Sequence, residues 1–229
     1  MHDRGVDPAD DPHLAHFPPG FFDRADESDD TRFYVVDRFV THIDDGAIAA
    51  VGELYDELGL SGPGSGDVLD LCSSWLSHFR TKPARLVVTG MNASELAANE
   101  LADEWVVHDL NADPKLPFDD ASFDAVTCCV SVDYLTRPLD VFADVARVLR
   151  PRGVFVCTFS NRCFPTKAIR GWLATDDRTH LTIVSRYFEL TDGFAEPTTQ
   201  LRNPASPGDP LYAVWARAAR TAHEAVTVR

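Results

Sequence analysis

Apolar residues recur at helical spacing between positions 44 and 58. Ala47, Ile48, Val51, Leu54, Tyr55 and Leu58 share one face, Asp44 or Asp45 stands at the N-cap position, and Gly59 follows the last turn. After a Gly-rich loop over 61–66 the pattern changes. Short apolar runs at 68–71, 85–89, 105–108, 123–129, 153–159 and 211–216 read as strands. Helical stripes separate the later ones. Leu139, Phe142, Ala146 and Leu149 form one, with Thr136 as its cap and Pro138 in its first turn; Leu181, Val184, Tyr187 and Phe188 form another. Strands alternating with helices predict an α/β fold, a mostly parallel sheet covered on both faces.

A length of 229 residues and a 45% apolar content are enough for one domain with its own core. Residues 1–30 differ from the rest. They hold nine acids and two bases, so they contribute −7 of the formal charge of −15, and their apolar content centres on Phe17, Phe21 and Phe22. The expected organisation is an irregular acidic arm over 1–30, docked through those rings, and a single domain over 31–229 that opens with a helical cap over 31–60.

The acid excess argues against a nucleic-acid partner, because phosphate contacts need Lys and Arg, and against an anionic membrane surface. Three lysines against eighteen arginines, with 36 acids, suit a halophilic protein kept soluble in strong salt; a GC-rich coding bias is the alternative. Five cysteines without a CxxC pair read as free thiols of a reducing cytoplasm. No secretory leader and no membrane-spanning run is visible. His13 and His16 beside Asp10 and Asp11 resemble a metal pair only loosely, and no metal site is expected.

In an open α/β sheet, ligands sit at the carboxyl ends of the strands. The first strand leads into Asp70-Leu71-Cys72-Ser73-Ser74-Trp75, which has neither a dinucleotide fingerprint nor a P-loop. The glycines at 62–66 precede the strand and read as a turn into it. A phosphate-rich ligand is therefore not expected.

Four segments in order resemble the class I, Rossmann-like S-adenosylmethionine-dependent methyltransferases. They are Val68-Leu69-Asp70-Leu71, then Gly90-Met91-Asn92-Ala93-Ser94, then Asp109 followed by Leu116-Pro117-Phe118 and Ser122-Phe123-Asp124-Ala125-Val126, and last Leu149-Arg150-Pro151-Arg152-Gly153. The loops Ser73-Ser74-Trp75-Leu76-Ser77-His78 and Ser160-Asn161-Arg162-Cys163-Phe164-Pro165-Thr166-Lys167 are similar to those of an uncharacterised subgroup. The resemblance implies a seven-stranded sheet, a cofactor-binding core over 65–160 and a C-terminal part over 161–229. It implies S-adenosylmethionine as cofactor and a small-molecule methyl acceptor.

It also implies site residues. Asp70, Ser73, Ser74 and Trp75 would surround the amino-acid tail, Met91 and Asn92 the ribose, Asp109, Leu110 and Asn111 the adenine, and Ser131 the end of strand four. Two of these have a second reading: Asp70 as a helix cap and Asp109 as the start of an Asx turn. Where the family loop carries three glycines this chain has Cys72, Ser74 and Leu76, and Asn92 replaces the usual acid. The rival reading is a non-catalytic binding or scaffold protein with a degenerate cofactor loop. Candidates on the acceptor side are Asp133 as base, Tyr134 as wall or donor, Asn161, Arg162 as a carboxylate fork, and His42 as base or packing residue. Cys128 and Cys129 read as packing. The oligomeric state is left open.

Overall fold

The computed structural model describes residues 14–205 and 207–219. Seven strands form one sheet: β1 (Asp67–Leu71), β2 (Arg85–Gly90), β3 (Glu104–Val107), β4 (Phe123–Cys129), β5 (Leu149–Phe159), β6 (Thr198–Leu201) and β7 (Tyr212–Arg217). Their order is β3-β2-β1-β4-β5-β7-β6. The first five run parallel, and β7 is antiparallel to both β5 and β6. The helices are α1 (Asp30–Tyr34), α2 (Asp45–Glu57), α3 (Ala93–Ala97), α4 (Pro138–Val148), α5 (Arg170–Leu173) and α6 (Asp177–Leu190).

Alternation along the strands builds two cores. Leu69 and Leu71 of β1 with Phe155, Cys157 and Phe159 of β5 meet α4 and α6 on one face. Val68 with Val154 and Val156 meets α2 and Leu96 of α3 on the other. Helices thus cover both faces, as the pattern predicts. Asp44 caps α2, its Oδ1 accepting from the Ala47 amide at 2.9 Å.

The far end of the sheet explains two of the resemblance segments. Arg150 bridges Asp67 of β1 at 2.7 Å and also Asp124 of β4. A Cβ on Gly153 would press on the carbonyl oxygens of Asp124 and Arg150, both 2.9 Å away. Both segments therefore lock strand starts together, away from the strand ends where ligands sit.

Several expectations are corrected. Thr136 is not the cap of α4: Arg137 holds the N-cap position, and Thr136 instead donates its amide and hydroxyl to Asn111 Oδ1 at 2.8 and 3.1 Å. β5 begins four residues early, at Leu149, so that residue starts a strand instead of closing a helical stripe. β3 is an edge strand and leaves Trp105 and Val107 exposed. The glycines at 62–66, by contrast, form the expected turn into β1, with the Ser65 amide donating to Gly62 O at 3.1 Å.

The acids of residues 1–13 and the His13 metal candidate lie outside the described residues. From Phe17 onward the N-terminal segment is fastened. Phe17 and Phe22 pack on Tyr187, with ring centroids 5.7 and 6.3 Å away. The Arg170 and Gly171 amides donate to Asp23 O and Phe21 O at 2.7 and 2.8 Å. Lys167, wholly buried, reaches Ser28 O at 2.8 Å, Asp30 Oδ1 at 2.9 Å and Asp26 Oδ2 at 3.1 Å.

Candidate functional site

A cavity of about 460 Å³ opens at the carboxyl ends of β1, β2 and β4 and beside the loop after β3. That volume lies in the range of small-molecule sites, about 300–1,000 Å³. Segment 30–42 runs over it and returns into α2. Asp70, Ser73, Ser74, Trp75, Met91, Asn92, Asp109, Leu110, Asn111 and Ser131 all line it, as do His42, Tyr134 and Arg162. Asp133 and Asn161 are not among its lining residues.

The loop after β1 is built around Asp70. Its Oδ2 accepts from the Ser73 and Ser77 hydroxyls, each at 2.7 Å, and its Oδ1 from Thr127 Oγ1 at 2.7 Å. Burial pushes the Asp70 carboxyl above its ordinary range, against the lowering effect of the three hydroxyls. Asp70 is thus the internal anchor of the loop and not a helix cap. Cys72, at the first glycine position of the family loop, adopts φ +51°, and Val130 after β4 adopts φ +46°. A side-chain-bearing residue in this left-handed region costs about 1–3 kcal/mol and is held by its surroundings. Here the Ser73 and Val130 amides donate to Thr89 O and Thr158 O, each at 2.7 Å. The loop also lies so close to β2 that a Cβ on Gly90 would strike the Ser73 carbonyl.

Asn92 N-caps α3: its Oδ1 accepts from the Glu95 amide at 3.1 Å. Its Nδ2 donates to Tyr34 O at 3.0 Å and Asp37 Oδ1 at 2.9 Å. Glu95, a buried carboxylate one turn on, accepts from the Arg38 amide at 2.6 Å and from Ser74 Oγ at 2.5 Å. Trp75 turns outward, Nε1 donating to Val40 O at 3.3 Å with its ring 6.2 Å from Phe39. It walls the cavity without filling it.

Asp109 does make the Asx turn. Its Oδ1 accepts from the Asn111 and Ala112 amides at 2.9 and 3.2 Å. The turn fixes the carboxylate, and Oδ2 has no hydrogen-bond donor among the described residues. Asn111 donates to Asp30 Oδ2 at 2.9 Å and Tyr134 O at 3.0 Å, so it ties the loop to segment 30–42.

On the β4–β5 side, Tyr134 accepts from the Phe164 amide at 2.8 Å, and the two rings lie 5.8 Å apart. His42 stands edge-on to Phe164 at 5.4 Å. Arg162 is exposed, and its Nε donates to Asp209 Oδ1 at 3.0 Å, so its charge is already paired. Asn161 is exposed. Asp133 is corrected as a base: the turn after β4 points it inward, 2% exposed, with Oδ2 unpartnered, and burial raises its carboxyl to about 8. Burial likewise lifts the Cys129 thiol to about 12, which leaves an inert neutral group at the cavity wall.

The sequence reading missed Tyr34, Arg38, His78, Glu95 and Phe164, all of which line the cavity. Burial lowers the His78 imidazole to about 4, so it is neutral in the wall. For Glu95 a signal existed: an Asn at the cap position with Glu three residues later marks a helix start. For Arg38 and Tyr34 none did, since their places depend on partners more than fifty residues away.

Residues 61–157 match a family model described as a methyltransferase domain. Two ubiquinone/menaquinone biosynthesis C-methyltransferases, both named UbiE, are similar over part of the chain. That of Desulfotalea psychrophila is 40% identical over 110 residues, covering 42% of this chain and 42% of its own length. That of Roseobacter denitrificans is 36% identical over 101 residues, covering 44% and 35%. The chain thus spans less than half the length of these relatives.

Among solved structures, a SAM-dependent methyltransferase from Aquifex aeolicus superposes with a TM-score of 0.53 at 12% identity, over 76% of this chain and 92% of that one. Geranyl diphosphate C-methyltransferase from Streptomyces coelicolor A3(2) gives 0.51 at 14%, over 82% and 97%. The [4+2]-cyclase SpnF gives 0.52 at 13%, over 81% and 89%. The fold is the α/β, Rossmann-like fold of class I methyltransferases.

Proposed function

We propose that the chain transfers a methyl group from S-adenosylmethionine to a small-molecule acceptor. The observation that carries this reading is the open cavity at the strand ends, lined by all ten residues that the family resemblance assigns to the cofactor. The matching methyltransferase family model over 61–157 supports it. So does the donor set. A carboxylate with one open oxygen suits an adenine amino group, and there is no glycine cradle of the kind that a phosphate would need.

Bound there, the cofactor would supply an electrophilic methyl group. Asp109 Oδ2 and the Leu110 amide would hold the adenine. The loop at 72–77, braced on Asp70, would face the amino-acid tail. Asn92 would act on the ribose through its effect on segment 34–37, since its amide is bonded to that segment. Methyl transfer is an in-line displacement that depends mostly on positioning. His42, Tyr134 and Phe164 would orient the acceptor; burial holds the His42 imidazole below its ordinary range, so it stands neutral at pH 7 with a ring nitrogen free to act as the base. A cytoplasmic setting and function without a nucleic-acid partner belong to the same proposal. Among the described residues no helix is long and apolar enough to cross a membrane.

The scaffold reading has one observation behind it: the oxygens of Asp70 and the amide of Asn92 are held by the protein itself. A cyclase of the same fold shows that the architecture alone does not fix the chemistry. Calorimetry and thermal unfolding with S-adenosylmethionine and S-adenosylhomocysteine separate the two readings. Binding at 100 times Kd stabilises the fold by about 2.7 kcal/mol, and Asp109→Ala weakens it. No binding at millimolar ligand would leave the scaffold reading standing.

A further inference from the structure

The carboxylates that line the cavity all have internal work. Asp70 holds three hydroxyls, Glu95 accepts from Arg38 and Ser74, Asp109 holds its turn, and Asp30 pairs with Arg24 and Lys167. The two lining guanidiniums differ. Arg162 is paired with Asp209. Arg38 meets no carboxylate within ion-pair reach among the described residues, although the chain carries 36 acids against 21 bases.

The Arg38 head is nevertheless fixed. Nη2 donates to Phe33 O at 2.8 Å and Nη1 to Val36 O at 3.1 Å. Cζ stands 4.5 Å from the Phe33 ring centroid and 5.6 Å from that of Phe164, and the backbone amide is pinned by Glu95. Carbonyl dipoles and ring faces orient a guanidinium, but they bring no counter-charge. The result is a pre-oriented cation in the cavity wall, without a carboxylate counter-charge among the described residues, in a strongly acidic protein.

We infer that Arg38 is the carboxylate-receiving group of this cavity. A single guanidinium, without a lysine or glycine cradle beside it, matches one negative charge, and a carboxylate can meet it with two parallel hydrogen bonds. A phosphate dianion would be left half neutralised. The inference deepens the proposed function and rests on it for the identity of the ligand. The carboxylate belongs either to the amino-acid tail of the cofactor or to the acceptor, and the two are separable.

Calorimetry on the wild-type chain, Arg38→Met and Arg38→Lys decides. The probes are S-adenosylhomocysteine, 5′-methylthioadenosine (the same nucleoside without the amino-acid tail), benzoate and its neutral isostere benzamide. If the cofactor tail is the source, Arg38→Met weakens S-adenosylhomocysteine by roughly ten- to a hundredfold, the scale of a charged hydrogen-bonded pair. In that case 5′-methylthioadenosine affinity is unchanged and Arg38→Lys recovers part of the loss. If the acceptor is the source, both nucleosides bind the variant normally, and the preference of the nucleoside-loaded protein for benzoate over benzamide disappears.

Unchanged S-adenosylhomocysteine affinity together with an unchanged benzoate preference overturns the role of Arg38. So does an equal loss of both nucleosides, which would mean that the substitution only disturbs segment 30–42. If the wild-type chain binds neither nucleoside, the methyltransferase reading fails on its own. A benzoate preference that Arg38→Met abolishes would still support the carboxylate site.

Discussion

Asp70 and Asp133 are both buried acids with raised titration, and they differ in what surrounds them. Three hydroxyls meet Asp70, whereas Asp133 Oδ2 has no partner. With its carboxyl raised from 3.8 to about 8, Asp133 is neutral in the folded chain at pH 7 and ionised in the unfolded one. Its contribution to stability is therefore fully present below about pH 4, declines as pH rises, and is lost by about pH 8. Asp133→Asn removes that dependence. Denaturant titrations should show the variant gaining on the wild type between pH 4 and pH 8, by an amount on the order of a few kcal/mol; parallel profiles would place the carboxyl in contact with water. The ten cofactor candidates line the cavity because strand ends collect site residues, and strand ends can be located from sequence order. The inward turn of Asp133 could not be read, since a polar residue after a strand gives no sign of which way it faces.

At the scale of elements, each piece of the site is a strand end braced by something else. The β1 loop leans on β2, and Gly90 is the contact that permits it. Gly90→Ala forces the Ser73 carbonyl away and should disturb the loop anchored on Asp70. The expected outcome is a loss of about 1–3 kcal/mol in unfolding free energy and weaker nucleoside binding; unchanged values in both would show that the loop has room to shift. Helix α2 was legible because burial of one face imposes a period on its sequence, and strands β1, β2, β4 and β7 because burial on both faces makes them short apolar runs. β6 was not: Thr198–Leu201 is exposed at every position, so no apolar alternation marks it. The five-residue helices α1 and α3 are too short to establish a stripe, and their existence rests on caps, Asp29 for one and Asn92 for the other. The Thr136 cap assignment failed because its hydroxyl found a tertiary partner in Asn111.

Across the whole molecule, the charge is less one-sided than its sum. Of the formal −15, residues 1–30 carry −7, and within them Asp23, Asp26 and Asp30 are paired with Arg170, Lys167 and Arg24. The rest is acid excess, which added salt screens, while buried pairs such as Lys167–Asp30 are screened little. The unfolding midpoint is therefore expected to rise as salt goes from about 0.15 M toward molar levels, and a flat or falling profile would leave the scarcity of lysine without a role in salt tolerance. The Lys167 clamp has a further consequence, in time. Its partners at Asp26 and Ser28 lie 141 and 139 residues earlier in the chain. At about 5–20 residues per second, a ribosome makes the N-terminal segment roughly ten seconds before the surface that receives it. Phe17, Phe21 and Phe22 are likewise made long before Gly171 and Tyr187, the surface they pack on, so the segment that leads over the cavity gains its anchor only after Lys167 has been made.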